Sequence, residues 1–303
     1  MAVACFSPIR AFQSVDGAPV SFSYREGARS FEVPCGHCVG CRIDRSRDWA
    51  IRCVHESKLH ARNCFITLTY RNACMPDGMT LVPRDTQLFL KRARKLCGPF
   101  RFFLGGEYDD GSRPHYHALL FGLDFDDRLY FKRSPGGERL FRSSMLEKLW
   151  PYGYSTIGEV TFRSAAYVAR YVMKKEIGAS SRKREIFDIM TGEIYTRAHE
   201  FARMSLKPGI GFDWLMKYWP DVYPHGYVVL NGQRMKPPRF YDKWFEFFDP
   251  VAFAALKARR ESEALSKWDD NSPRRLRAKE QVQRARLSFL KRSLDEVNGD
   301  GNF

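Results

Sequence analysis

Three side chains within a short stretch have the chemistry to hold a divalent cation. They are His115 and His117 in the run Arg113-Pro114-His115-Tyr116-His117, and Glu107 a little upstream. Histidines separated by one residue project from the same face of a strand, so both rings can reach one ion. If Phe102 to Tyr108 pairs antiparallel with His115 to Phe121 across the polar turn between them, Glu107 comes opposite His115, with Cβ atoms about 5 Å apart. Gly105 then faces His117, where a larger side chain would fill the space of an ion and a phosphate. Two imidazoles and a carboxylate leave coordination positions open, which suits Mg²⁺ or Mn²⁺ acting as a Lewis acid on phosphate oxygen.

A second set of reactive groups lies on the helix expected from Ser164 to Lys175. Tyr167 and Tyr171 are four residues apart and share one face, about 6 Å apart along the axis. Arg170, Lys174 and Lys175 surround them with charge that could bind a phosphodiester of DNA and lower the cost of forming a phenolate. A tyrosine oxygen attacking a cation-polarised phosphate would give a covalent phosphotyrosine and release a 3′-hydroxyl. A third set is Cys35-x-x-Cys38-x-x-Cys41, three thiols that could form most of a structural Zn²⁺ site with Cys5 or His37 as the fourth ligand. The same spacing is compatible with small buried hydrophobes at a helix start. All eight cysteines fall before residue 100, which in a reducing compartment speaks for metal ligands or buried thiols rather than a disulfide framework. Cys53, Cys64, Cys74 and Cys97 show no ligand spacing.

These groups must be positioned by an alternating pattern of strands and helices. Apolar residues at helical spacing predict an amphipathic basic helix over Cys41 to His60. Cys64 to Tyr70, CFITLTY, is β-branched and aromatic on both faces, as expected of a central strand covered on both sides. Asp85 to Cys97 and Ser144 to Trp150 read as helices, Tyr154 to Val160 as a strand, and Arg71 to Pro83 as loop. Residues 179–240 are less periodic, with one strand at Tyr227 to Leu230, and read as a wrapping around the core. From Phe253 to about Arg292 the pattern is helical and broken at Pro273, and residues 256–292 hold twelve Lys and Arg against five Asp and Glu. Such a tail could clamp DNA backbone or simply be solvated.

The whole chain of 303 residues, 44% hydrophobic, is long enough for a substantial core, which excludes a disordered protein. A formal charge of +15 attracts polyanions, and 15% aromatic residues offer surfaces on which single strands stack. No stretch approaches the roughly 20 apolar residues of a membrane span and no signal peptide is apparent, so a soluble intracellular protein is expected.

In chain order, Phe65 to Thr69 (FITLT), the His-Tyr-His triplet at His115 to His117, and Tyr167-x-x-x-Tyr171 resemble the motifs of HUH endonucleases. The stretches CGHCVGCR near Cys35, FRSSMLEKLWPYGYSTIGEVTFRSAAYVARYVMKK, and KPGIG near Lys207 are similar to the replication initiators of microviruses, especially the gokushovirus branch. The resemblance covers most of residues 30–245. It implies an α+β HUH endonuclease fold, with a central antiparallel five-stranded sheet and flanking helices. Residues 1–245, with a Cys-rich segment at 5–41, would form the endonuclease domain, and residues 246–303 a basic helical tail. It further implies His115 and His117 as metal ligands, Glu107 as the third, and Tyr167 and Tyr171 as alternating nucleophiles. One tyrosine would nick single-stranded DNA at the viral origin through a 5′-phosphotyrosine, leaving a 3′-hydroxyl primer for rolling-circle replication, and the product circle would then be rejoined without ATP. Which tyrosine begins is open at this point. No Gly-x-x-x-x-Gly-Lys-Ser/Thr loop occurs, so a host helicase joins a host DNA polymerase as an expected partner, in the cytoplasm of a bacterial host and away from membranes.

Two other readings compete. One is a non-catalytic protein that binds single-stranded nucleic acid on a ferredoxin- or RRM-like sheet; the order of the motifs disfavours it, and no RNP run is present. The other is a metal-dependent hydrolase in which water replaces the tyrosine, distinguished by the absence of a covalent protein–DNA adduct.

Overall fold

A computed structural model describes residues 5–14, 19–24, 26–109, 113–134, 136–173, 184–187, 192–266 and 269–288. In chain order its first elements are β1 (Ile9–Gln13), β2 (Arg29–Val33), α1 (Val39–Ser57), β3 (Asn63–Tyr70), α2 (Pro83–Cys97), β4 (Arg101–Asp109), β5 (Arg113–Phe121), β6 (Leu129–Arg133), β7 (Arg139–Arg142), α3 (Ser144–Leu149), β8 (Gly153–Gly158) and α4 (Phe162–Met173). There follow β9 (Arg184–Phe187), β10 (Ile194–Arg197), β11 (Phe201–Met204), α5 (Phe212–Val222), β12 (Val228–Leu230), β13 (Gln233–Met235), α6 (Arg239–Phe248), α7 (Pro250–Leu265) and α8 (Pro273–Ser288). Two compact units divide these elements: residues 1–45 group with 222–291, and the other unit is built on residues 46–221.

The second unit is organised by an antiparallel sheet with strand order β11-β4-β5-β3-β8-β7-β6. Side chains alternate along its central strands, and both faces are apolar. Ile66 and Leu68 of β3, Leu104 of β4 and Tyr116 and Leu120 of β5 pack with Phe89 and Leu90 of α2, Leu146 of α3 and Trp150. On the opposite face Phe65, Phe103, Leu119 and Phe121 pack with Ala50 and Cys53 of α1 and Ala165, Val168 and Ala169 of α4. Each such large side chain taken fully out of water contributes roughly 1.5–3 kcal/mol. This is the two-sided covering that CFITLTY requires.

Tyr116 fixes the alternation of β5. Its hydroxyl accepts from the Val82 amide at 2.7 Å and lies 3.1 Å from the Tyr70 hydroxyl, which donates to Asp85 at 2.6 Å. With Tyr116 anchored to the start of α2, His115 and His117 are committed to the other face. A one-residue slip of β5 would bury both imidazoles against α2 and expose Tyr116.

The sheet has seven strands, where the family resemblance implies five. The additional pair is the hairpin β6–β7, which joins the edge through a single register pair, Phe141 with Ile157. Residues 179–240 are also more regular than their composition suggests. β11 docks on the β4 edge with Phe201 opposite Gly106, β9 and β10 form a separate two-stranded ladder, and α5 follows. A Cβ on Gly106 would lie 2.8 Å from the Phe201 ring, so glycine is what lets β11 pack there.

The unit containing 222–291 carries the hairpins β1–β2 and β12–β13 and helices α6, α7 and α8. Asn231 and Gly232 connect β12 to β13 with φ of 49° and 73°, the left-handed pair that a two-residue hairpin turn demands. Asp249 accepts from the Ala252 amide at 2.9 Å and Pro250 opens α7, while Pro273 opens α8. Proline thus divides the basic helical segment by starting its second helix. That segment packs within its unit: Leu276 of α8 is buried against Phe6 and Cys38. Residues 289–292, expected to continue the helix, lie outside the described residues. No helix among the described residues is long and apolar enough to cross a membrane.

Candidate metal and nucleophile site

The face of the sheet covered by α1 and α4 changes character along its strands. Phe65, Phe103, Leu119 and Phe121 occupy one end; two residues further along each strand the same face carries Thr67 and Thr69, Gly105 and Glu107, His115 and His117. The register places Glu107 directly opposite His115 and Gly105 opposite His117, as the hairpin reading expects. The bond that forms is the diagonal one: His117 Nε2 lies 3.1 Å from Glu107 Oε1. The two imidazole planes are parallel to within 12°, with ring centroids 6.5 Å apart.

Both rings are held from the neighbouring strand. Thr67 Oγ1 is 3.1 Å from His117 Nδ1, and Thr69 Oγ1 is 2.9 Å from His115 Nδ1. With the proton on Nδ1 donated to a threonine oxygen, Nε2 presents a lone pair, the tautomer a metal ligand requires. Burial, helped by His117 and opposed by Glu107, pushes the His115 pKa down to about 4, so this imidazole is neutral at pH 7. Phe65 stacks on His117 at 5.8 Å and closes the apolar side. Sequence reasoning overlooked Thr67 and Thr69; the signal was that TLT and HYH alternate in step on paired strands.

Tyr167 reaches this group from α4. Its hydroxyl donates to Glu107 Oε1 at 3.1 Å, and its ring meets His117 edge-on at 5.1 Å. The phenol is 5% exposed and His117 1%, so the cluster is largely dry and its electrostatic interactions are little screened. Tyr171 and Arg170 lie on α4, but their side chains are outside the described residues, as are Lys174 and Lys175 altogether. The donor set of two neutral imidazoles and one carboxylate, with a glycine opposite His117, fits a divalent cation with open coordination positions.

The cysteines form a second cluster, in the other unit. The sulfurs of Cys5, Cys35, Cys38 and Cys41 lie within 4.8 Å of one another, and they are the one set of three or more Cys, His, Asp or Glu donors so close together among the described residues. His37 is not part of it; its Nδ1 sits 2.9 Å from the Cys35 carbonyl oxygen and its ring is exposed. Burial raises the Cys38 thiol, but amide hydrogen bonds from Cys41 and Phe6 and the neighbouring thiols bring its pKa down to about 7. Cys53 and Cys64 are buried core residues.

The family model for the ORF2 type of replication-associated protein matches residues 63–176, the stretch that holds β3, the β4–β5 hairpin and α4. The replication-associated protein VP4 of Bdellovibrio phage phiMH2K is 32% identical over 285 residues, covering 88% of this chain and 86% of its own length. This chain belongs to the microvirus replication-associated proteins. A second relative, replication-associated protein ORF2 of Spiroplasma virus 4, is 29% identical across 86% of this chain and 87% of its own length. Chlamydia phage 1 replication-associated protein ORF4 is 29% identical across 70% of this chain and 53% of its own length. No solved structure matches. Among replication-associated proteins of this family, the present one holds its His-Tyr-His triplet and its helical tyrosine on the same sheet face, and the matched stretch is the stretch that builds that face.

Proposed function

We propose that this replication-associated protein nicks single-stranded DNA at a phage origin with a tyrosine nucleophile and later rejoins the ends. The observation that carries the reading is the hydrogen bond from Tyr167 to Glu107, which brings a phenol 60 positions away in sequence onto the carboxylate beside His117. A divalent cation, Mg²⁺ or Mn²⁺, held by Glu107, His115 and His117, would supply Lewis-acid stabilisation of a phosphate's developing negative charge. The protein's own groups do the rest. Thr67 and Thr69 hold the imidazoles in one tautomer, Phe65 and the α4 side chains exclude water, and Tyr167 is fixed at the edge of the site.

In the step itself the phenolic oxygen bonds to phosphorus and the bond to the 3′ oxygen breaks. The released 3′-hydroxyl carries away the equivalent of the phenol's proton. The reverse attack by a 3′-hydroxyl rejoins the strand, and the energy of the phosphotyrosine bond makes this possible without ATP. Tyr171, one turn along the same helix, is the second nucleophile in this reading, and Arg170, Lys174 and Lys175 bind the DNA backbone. A host helicase and polymerase would act on the 3′ end in the bacterial cytoplasm.

The test is incubation with labelled single-stranded DNA spanning the phage's own origin and Mn²⁺, followed by denaturing electrophoresis. A labelled protein band that disappears in the Tyr167→Phe, Tyr171→Phe double variant and in His115→Ala is the expected result. Cleavage without any adduct would make water the nucleophile, and binding without cleavage would leave a nucleic-acid binding protein.

A further inference from the structure

The four sulfurs of the first unit are arranged as the corners of a metal site. Cys5 and Cys35 are 3.6 Å apart, Cys5 and Cys38 3.9 Å, and Cys35 and Cys41 4.0 Å. A tetrahedron with Zn–S bonds of about 2.3 Å has edges of about 3.8 Å, which these distances bracket. A disulfide requires about 2.05 Å, and all four cysteines are free.

The backbone explains why these sulfurs converge. β1 pairs with β2 in the register Ile9 to Val33, so the residues before β1 and after β2 meet at the open end of the hairpin. Cys5 is thereby delivered to the turn that leads into α1. The turn folds around the sulfurs with its amides pointing inward. The Phe6 amide donates to Cys38 Sγ at 3.3 Å, Cys35 to Cys5 Sγ at 3.3 Å, Cys38 to Cys35 Sγ at 3.3 Å, and Cys41 to Cys38 Sγ at 3.5 Å. Amides that converge on sulfur are what a thiolate cluster needs, since they offset the negative charge that deprotonation leaves. The start of α1 adds its own positive end at Cys38 and Cys41. Arg45 ties the turn by donating to the Gly36 carbonyl at 3.0 Å.

We infer that Cys5, Cys35, Cys38 and Cys41 bind one Zn²⁺ as a closed four-thiolate site that pins residues 5–6 to the start of α1. All four tetrahedral positions are filled by sulfur, so the site has no place for water or substrate and is structural. It is independent of the Glu107, His115 and His117 cluster and of the nicking reading. Leu276 of α8 packs on the same group, so the ion's loss would loosen three segments of this unit together.

The experiment is elemental analysis of the purified full-length chain carrying His115→Ala and His117→Ala, which removes the other set of imidazole donors. One zinc per chain is expected, falling to none when Cys38→Ser or Cys41→Ser is added and remaining at one with the control Cys74→Ser. Because a cysteine variant could lose zinc by failing to fold, Co²⁺ is exchanged into the chain with all cysteines intact. The thiolate charge-transfer and tetrahedral d–d absorption of a four-sulfur site are expected. No retained zinc in the His variant after growth with zinc, an octahedral cobalt spectrum, or a disulfide between any two of the four cysteines found in protein purified under reducing conditions would each overturn the assignment.

Discussion

Among single residues, the threonines of β3 are the least conspicuous members of the site and among the easiest to test. Each hydroxyl fixes one imidazole through Nδ1, so Thr67→Val or Thr69→Val should weaken Mn²⁺ binding by roughly 10- to 100-fold. Calorimetric titration with Mn²⁺ reads this directly, and an unchanged affinity would show that the rings hold their orientation without them. His55 offers a second test. It is fully buried against Trp214 at 3.4 Å, and burial followed by the Lys58 charge lowers its pKa to about 3. The unfolded chain protonates this ring near pH 6.5 while the folded chain does not, so the unfolded state binds the extra proton between those limits. Its contribution is complete above the unfolded pKa and is lost as pH falls toward the folded one, by about 3 kcal/mol on reaching about pH 4. Urea unfolding of His55→Gln across that range should show a shallower dependence on pH than the parent. The sequence placed Glu107, His115 and His117 together correctly because a hairpin's pairing follows from its turn. It did not show that Glu107 bonds diagonally to His117, since side-chain reach is not a property of register.

For the strands and helices, what was legible depended on length. β3, β4, β5, α2 and α4 are long enough for a period of two or of 3.6 to show, and each was placed to within a few residues. β7, β9, β10 and β11 have four residues apiece, too few to establish a period, and their sequences carry charged residues at alternate or terminal positions. Their pairing is decided by the edge available to them. Gly153 shows how tightly one such edge is fitted. A Cβ there would fall 2.2 Å from the Thr69 carbonyl oxygen and 2.4 Å from the Arg71 amide, both backbone atoms of the neighbouring chain segment. Gly153→Ala must therefore push β8 away from the end of β3, at a cost of at least about 2 kcal/mol. A fall in urea midpoint with the slope unchanged is the expected signature, and an unaltered midpoint would mean that the strands separate at no cost.

Across the molecule as a whole, the charge of +15 and the buried ion pairs act differently. Glu56, at the end of α1, is almost wholly buried; it accepts from Arg101 at 2.5 Å and from the Gly211 amide at 2.6 Å, joining three distant segments of its unit. The surface charge instead governs encounter with DNA. If about five phosphates are neutralised, raising salt about fourfold should weaken single-strand binding by ~10²-fold. Fluorescence anisotropy with an origin oligonucleotide measures that slope; a flat response would place recognition in base contacts rather than in the backbone. Composition announced the charge, but not that the basic segment ending in α8 groups with the residues before α1. Contacts between distant parts of a chain leave no local pattern to read.

The candidate ligands and the candidate nucleophile also differ in how far apart the chain must be gathered to assemble them. Glu107 and His117 are ten positions apart and meet as soon as one hairpin closes, whereas Tyr167 must be brought across 60. Local contacts form early and distant ones late. A chain emerging from the ribosome would then offer its donors to a cation well before it owns a phenol to cut with, and a nascent copy could not act on DNA until α4 had been made and had docked.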